Sequence, residues 1–298
     1  MKQDSHQLLK PEIIRSIDGL ALISKVIVDG YLAGYNHSRR VGSGMEFSQF
    51  RSYQPGDDLR LLDWKMLARS GRYYIKQSEI ETNIAIKFII DSSNSMSHEE
   101  NGLSKMDHTR VLVASLAYLA QNQGDAVGLF ALNDQQLHSV YPKVQKQHFN
   151  HLILELLNIE NKGQWPIDPT ESRKLHDRTH KELIFFITDL YEHSEELTTF
   201  IKKLKTLRNE VVVFHIMGQH EMEFNYSGDT TFEDLETGEK LKVDAEEARK
   251  GYLESLDEMI KSTKDLLLQN GISYHLFRLD SPLTEALQLF LKKRSNLI

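Results

Sequence analysis

The chain has 298 residues, of which 40% are hydrophobic and 27% charged, with no cysteine and a formal net charge of −7. That composition excludes a disordered or fibrous chain, a disulfide framework and thiolate chemistry, and its acidity argues against a general nucleic-acid binder. No apolar run approaches the ~18 residues of a membrane-spanning helix, and the N-terminal MKQDSHQLLKPEII lacks the apolar core of a signal peptide, so the expectation is a cytoplasmic protein with no transmembrane segment.

In chain order, Ile13, Ile17, Leu20, Val26, Ile27 and Tyr31 recur at helical spacing and predict an amphipathic helix over roughly Glu12 to Leu32. The composition then shifts. Between His37 and Lys76, Arg39, Arg40, Arg51, Arg60, Lys65, Arg69, Arg72 and Lys76 outnumber the acids, and Gln54-Pro55-Gly56-Asp57-Asp58 has the chemistry of a turn. This stretch is expected to form a small basic subdomain containing β-strands, with Trp64, Tyr53, Tyr73 and Tyr74 packed inward. Three regions follow: an N-terminal helix over 1–36, the small subdomain over 37–80, and an α/β domain over 81–298.

In that last region strands and helices alternate. Ile84 to Ile90 reads as a buried strand, Met106 to Gln121 as a helix, Ala126 to Leu132 and Leu137 to Tyr141 as strands, and Phe149 to Leu157 as a helix. Leu183 to Ile187 and Val211 to Met217 are further buried strands, on either side of a helix over Glu195 to Leu207. Thr231 to Val243 reads as a hairpin turning at Glu236-Thr237-Gly238-Glu239. A long helix over Asp244 to Asn270, a strand over Ser273 to Leu279 and a helix from Pro282 complete the chain. Alternation of this kind, with near-continuously apolar strands, predicts an α/β fold: a doubly wound, mostly parallel sheet covered by helices on both faces. Such sheets bind ligands beyond the carboxyl ends of their strands.

The first strand of that region runs into Asp91-Ser92-Ser93-Asn94-Ser95, a D-x-S-x-S pattern. Asp91, Ser93 and Ser95 put three short oxygen-bearing side chains at alternating positions, where they can converge on a hard cation such as Mg²⁺. Leu183 to Ile187 likewise runs into Thr188-Asp189, placing a second carboxylate on the same sheet edge. The plainer alternative is that these residues cap the turns they begin.

D-x-S-x-S after the first strand of a doubly wound domain resembles the metal-ion-dependent adhesion site of von Willebrand factor A domains. Arg51-Ser-Tyr-Gln-Pro-Gly-Asp-Asp-Leu-Arg60, Leu62-Asp63-Trp64-Lys65, Gly71-Arg72 and Phe232-Glu-Asp-Leu-Glu-Thr-Gly238 resemble a bacterial family of unknown function, number fifty-eight of such domains. The resemblance spans roughly Gly34 to Lys292. It implies a von Willebrand A-like, non-enzymatic protein-interaction module without catalytic residues, working with a MoxR-type AAA+ ATPase or other von Willebrand A-like proteins in protein assembly or maturation. It also implies that Asp91, Ser93, Ser95 and Asp189 hold Mg²⁺, with Mn²⁺ or Ca²⁺ as alternatives. The second loop of such sites supplies a Thr, but here the region reads Gly163-Gln-Trp165-Pro-Ile-Asp168-Pro-Thr170. Thr170 or Asp168 is the substitute ligand, and the departure implies a weakly bound or absent cation.

Other chemistries find little support. His148 and His151, like His176 and His180, lack a third ligand at zinc spacing. There is no phosphate-binding G-x-x-x-x-G-K-[ST] and no G-x-S-x-G elbow. Two alternatives to an adaptor remain. One is a Mg²⁺-dependent phosphohydrolase with Asp91 as nucleophile, disfavoured because Ser93 stands where its general acid belongs. The other is a structural module whose metal site has decayed.

Overall fold

The computed structural model describes residues 9–41, 50–53, 64–76, 84–166, 175, 181–191 and 195–297. The chain divides into two compact units, Met1–Val28 with Asn83–Ile298, and Asp29–Thr82. The divisions fall after Val28 and Thr82, where composition places them after residues 36 and 80.

The N-terminal helix is broken into α1 (Pro11–Ile14) and α2 (Ile17–Val41). Ser16 causes the break: its hydroxyl donates to Ile13 O (3.0 Å), and its oxygen accepts from Gly19 N (3.2 Å) as the cap of α2.

In the smaller unit, β1 (Phe50–Ser52) pairs antiparallel with β2 (Tyr74–Lys76), and α3 (Trp64–Ser70) lies between them in sequence. The expected inward packing of Trp64 and Tyr73 is not found, since they are 65% and 55% exposed. A seven-residue helix beside a two-stranded sheet offers too little apolar surface to cover an indole. The Gln54–Asp58 turn lies outside the described residues.

The larger unit is the expected doubly wound α/β fold. Its strands are β3 (Ala85–Asp91), β6 (Ala126–Leu132), β7 (Leu137–Lys143), β8 (Glu182–Thr188), β9 (Asn209–Met217) and β12 (Ser273–Arg278). They form one six-stranded sheet in the order β12-β9-β8-β3-β6-β7. All pairs are parallel except β6–β7, where the hairpin-like connection returns an antiparallel edge strand. Between β3 and β6 come the short pair β4 (Glu99–Glu100) and β5 (Leu103–Ser104) and the helix α4 (Lys105–Asn122). Among the described residues the remaining α-helices are α5 (Lys146–Leu157), α6 (Glu196–Leu204), α7 (Gln219–Glu223), α8 (Ala245–Gln269) and α9 (Thr284–Leu297). The hairpin of β10 (Asp229–Glu233) and β11 (Lys240–Asp244) precedes α8.

The alternation of β8 shows why both sheet faces need cover. Phe185 stacks among Phe88, Phe214 and Phe290, whereas Phe186 turns to the opposite core with Trp165 and Phe200. Burying a side chain of this size contributes about 1.5–3 kcal/mol, so the two facing cores hold the strand rigidly.

The start of α4 is fixed by a reciprocal capping box. Ser104 Oγ accepts from Asp107 N (3.0 Å) and Asp107 Oδ2 accepts from Ser104 N (3.3 Å). Asp107 also receives a two-pronged contact from Arg15 (3.2 and 2.6 Å) and one from Arg110 (2.9 Å). Burial pulls the Asp107 carboxyl up, but Arg15, the Ser104 N–H and Arg110 outweigh it and hold the group below the ordinary carboxylate range. A depressed folded-state value means stability present above the unfolded pKa of about 3.9 and lost as pH falls through the folded one. In Asp107→Asn, urea unfolding between pH 5 and 2 is therefore expected to show a shallower loss of stability than wild type. Parallel pH profiles would refute this role.

Candidate functional site

The order β12-β9-β8-β3-β6-β7 reverses direction between β3 and β8, because the chain leaves β3 toward β6 and β8 toward β9. At such a reversal the flanking crossovers lie on opposite faces and leave a crevice at the strands' carboxyl ends. The β3 and β8 ends carry Asp91 and Asp189.

Asp91 is fully buried, its Oδ1 accepting from Ser93 N (3.0 Å) and its Oδ2 from Thr188 Oγ1 (2.8 Å). Thr188 Oγ1 in turn accepts from Leu190 N (2.9 Å). Leu190 has φ 56°, a left-handed conformation costing a non-glycine residue about 1–2 kcal/mol, and this strained turn sets the direction of Asp189. The Ser93 and Ser95 hydroxyls lie 3.0 Å apart, and Ser95 Oγ donates to Asp189 Oδ1 (3.1 Å). The fold thus gathers Asp91, Ser93, Ser95 and Asp189 into one buried polar cluster. Thr170 and Asp168 lie outside the described residues.

Asp189 Oδ2 accepts from Lys105 Nζ (3.0 Å), which also donates to Glu221 Oε1 (2.7 Å). Lys105 is the first residue of α4, where the helix dipole disfavours a cation. Burial also lowers its proton affinity, yet Asp189 and Glu221 together hold the ammonium above its ordinary value. Burial raises the Asp91 carboxyl to about 7, helped by the neighbouring charge of Asp189 and opposed by its bonds from Ser93 and Thr188. Asp189 feels the same burial but is held low by Lys105 and Ser95. On β9, His215 is pushed down to about 4 by burial, and its Nδ1 meets Tyr274 Oη at 2.7 Å.

Trp165 is committed to the apolar core. Its ring packs against Phe186 and Phe200, 5.5 and 5.1 Å away. The backbone just before it does reach the D-x-S-x-S loop, for Gly163 O accepts from Asn94 N (2.9 Å) and Lys162 N donates to Ser92 O (3.0 Å). Gly163 has φ 58°, and a Cβ there would strike the Asp134 carboxylate, so the close approach requires glycine.

The donor set consists of hard oxygens only: one fully buried carboxylate, a second bonded to the Ser95 hydroxyl, and the Ser93 and Ser95 hydroxyls. Oxygen donors of this kind fit Mg²⁺, Mn²⁺ or Ca²⁺ and do not suit soft metals. A second group, His98, Glu100 and Glu221, also brings ligand atoms within 4.8 Å of one another. Its carboxylates are already engaged, Glu100 by the Gln219 and His220 N–H groups (2.7 and 3.0 Å) and Glu221 by Gly218 N and Lys105.

A family model described as "Protein of unknown function DUF58" matches residues 49–259. The chain belongs to the DUF58 family. An uncharacterized protein of Mycobacterium tuberculosis (strain H37Rv) is 23% identical over 235 residues, 76% of this chain and 72% of that protein, and one of Mycobacterium bovis matches equally. Among solved structures, the conserved hypothetical protein BatB from Bacteroides thetaiotaomicron aligns with TM-score 0.48 and 12% identity, over 72% of this chain and all of that one. An aerotolerance-related membrane protein from Bacteroides fragilis aligns with TM-score 0.46 and 15% identity, over the same shares. The SpRpn10 VWA domain aligns with TM-score 0.40 and 11% identity, over 70% of this chain and 95% of that one. Among the described residues of this DUF58 chain, no helix is long and apolar enough to cross a membrane.

Sequence reasoning passed over Lys105, Thr188 and Glu236 in this DUF58 protein. Ser104-x-x-Asp107 ahead of an apolar run was a legible helix start, and a lysine directly inside such a start is a usable anomaly. Glu236 stood in the Phe232–Gly238 motif, but its approach to Ser93 and Ser95 is a tertiary contact that no local pattern encodes.

Proposed function

We propose that this protein is a non-enzymatic, cytoplasmic interaction module whose D-x-S-x-S loop presents a divalent cation to an acidic side chain of a partner protein. The observation that carries the reading is the convergence of Asp91, Ser93 and Ser95 at the reversal of the sheet, with Ser95 Oγ 3.1 Å from Asp189. Asp91, Ser93 and Ser95 would hold the ion. Asp189, tied between Ser95 and Lys105, would orient Ser95 and balance charge from one shell further out. A bound Mg²⁺ supplies an electrophilic anchor for an oxygen ligand. A fully buried Asp91 is out of reach of an incoming phosphorus centre, which supports a ligand's role over that of a nucleophile. The family resemblance supports a MoxR-type AAA+ ATPase as the partner.

The test is capture of that ATPase by wild type and by Asp91→Ala, each with Mg²⁺ and with chelator. Capture is expected from wild type with Mg²⁺ and in none of the other three conditions. Capture unchanged by both the substitution and the chelator would reject the metal-bridged reading.

A further inference from the structure

The β10–β11 hairpin turns directly over the site. Asp234 builds the turn: its Oδ1 accepts from Glu236 N (2.8 Å) and Thr237 N (3.2 Å), and its carbonyl accepts from Gly238 N (2.8 Å), with Gly238 at φ 74°. Two side chains fasten this turn, one from each ligand-bearing loop. Tyr191, two residues beyond Asp189, donates its hydroxyl to Asp234 Oδ2 (2.7 Å), and Asn94, between Ser93 and Ser95, donates its amide to Leu235 O. The hairpin base is fixed as well, because Phe232 stacks on Phe224 (5.5 Å) and meets Tyr226 edge-on (4.9 Å), while Phe224 packs on Tyr252 (4.6 Å).

This anchoring delivers the Glu236 carboxyl to the Ser93 and Ser95 hydroxyls, with Asp91 and Asp189 close enough to act on it electrostatically and its Oε1 buried. We propose that Glu236 is the site's own acidic ligand: it occupies in cis the position left for a partner's carboxylate, so that a partner engages the cation only by displacing the hairpin turn. The inference rests on the metal-bridging reading above and adds its regulation. Among the described residues three carboxylates there share the ammonium of Lys105, which Glu221 also claims, and a divalent cation would offset the excess. The turn's bonds to Tyr191 and Asn94 lie at the surface, so they can be exchanged without unfolding the sheet.

The test is Mn²⁺ titration of the full chain, read by calorimetry and by the Mn²⁺ resonance spectrum, for wild type, Glu236→Gln and a control, Glu239→Gln, on the exposed side of the same turn. Glu236→Gln is expected to weaken Mn²⁺ binding at least tenfold and the control to change it less than twofold. N-acetylglutamate, as a free carboxylate, should alter the bound Mn²⁺ spectrum of Glu236→Gln but not of wild type. Hydrogen exchange across residues 229–244 should slow with Mn²⁺ in wild type only. If wild type binds Mn²⁺ and Glu236→Gln binds it equally well, or if the control weakens binding as much, the in-cis ligand is overturned and the metal reading stands. A wild type that binds no Mn²⁺ overturns both.

Discussion

Lys87→Ala is expected to lower the free energy of unfolding by about 3–5 kcal/mol, the cost of breaking a buried ion pair by removing one member. Lys87 lies in β3 with its side chain 3% exposed, paired with Glu182 at the start of β8 and donating to Leu175 O (2.6 Å). Both charges have left water, so the pair is held by mutual compensation, and removing the ammonium takes away the buried cation that faces the Glu182 carboxylate. The double replacement Lys87→Met with Glu182→Leu should recover most of the loss, because an apolar pair of similar volume has no desolvation cost. Urea unfolding of Lys87→Met, Glu182→Leu and the double variant measures the coupling. Single-variant losses below about 1 kcal/mol, the range of exposed pairs, would show that the pair is hydrated and its burial structurally irrelevant.

The second large effect concerns Asp91. A ligand that binds only the folded state adds about 2.7 kcal/mol at a hundredfold excess over its dissociation constant, which for a domain of this size corresponds to a rise of roughly 5–10 °C in Tm. Wild type is expected to show such a rise with Mg²⁺, and Asp91→Asn none. In chelator the order should reverse, with Asp91→Asn at least as stable as wild type. Burial and the nearby charge of Asp189 both oppose ionisation of Asp91, and a neutral amide removes that conflict. Thermal unfolding of both proteins in Mg²⁺ and in chelator decides it. An equal Mg²⁺ response from the two would remove Asp91 from any cation site. A less stable Asp91→Asn in chelator would mean that its bonds from Ser93 N and Thr188 outweigh the repulsion.

Much of the fold was determined by the sequence itself. Strands such as IAIKFII and VVVFHIM are apolar on both faces, and only a sheet covered on both sides can bury them. Their alternation with helices left few topologies, and connection rules removed most of those. The ends of β3 and β8 were legible for the same reason: a run of buried residues stopping at a carboxylate marks the edge where ligands bind. Local chemistry also set Ser16 and Ser104 as helix caps, since a hydroxyl oxygen needs only neighbouring N–H groups to act.

Tertiary structure alone decided which distant groups share the site. Lys105 reaches Asp189 across 84 residues, and Asn94 meets the carbonyl of Leu235 across 141. No periodicity encodes such a meeting, because it depends on how far a helix start or a hairpin projects once the sheet has twisted and packed. Trp165 shows the same limit from the other side. Its position in the sequence pointed toward the site, but an indole gains more by packing between Phe186 and Phe200, so only the backbone before it approaches the D-x-S-x-S loop. Residue type and spacing therefore specified the strands and the ends that carry chemistry. The packing of separate elements specified the charges around them, because electrostatic partners are chosen by distance in space and not by distance along the chain.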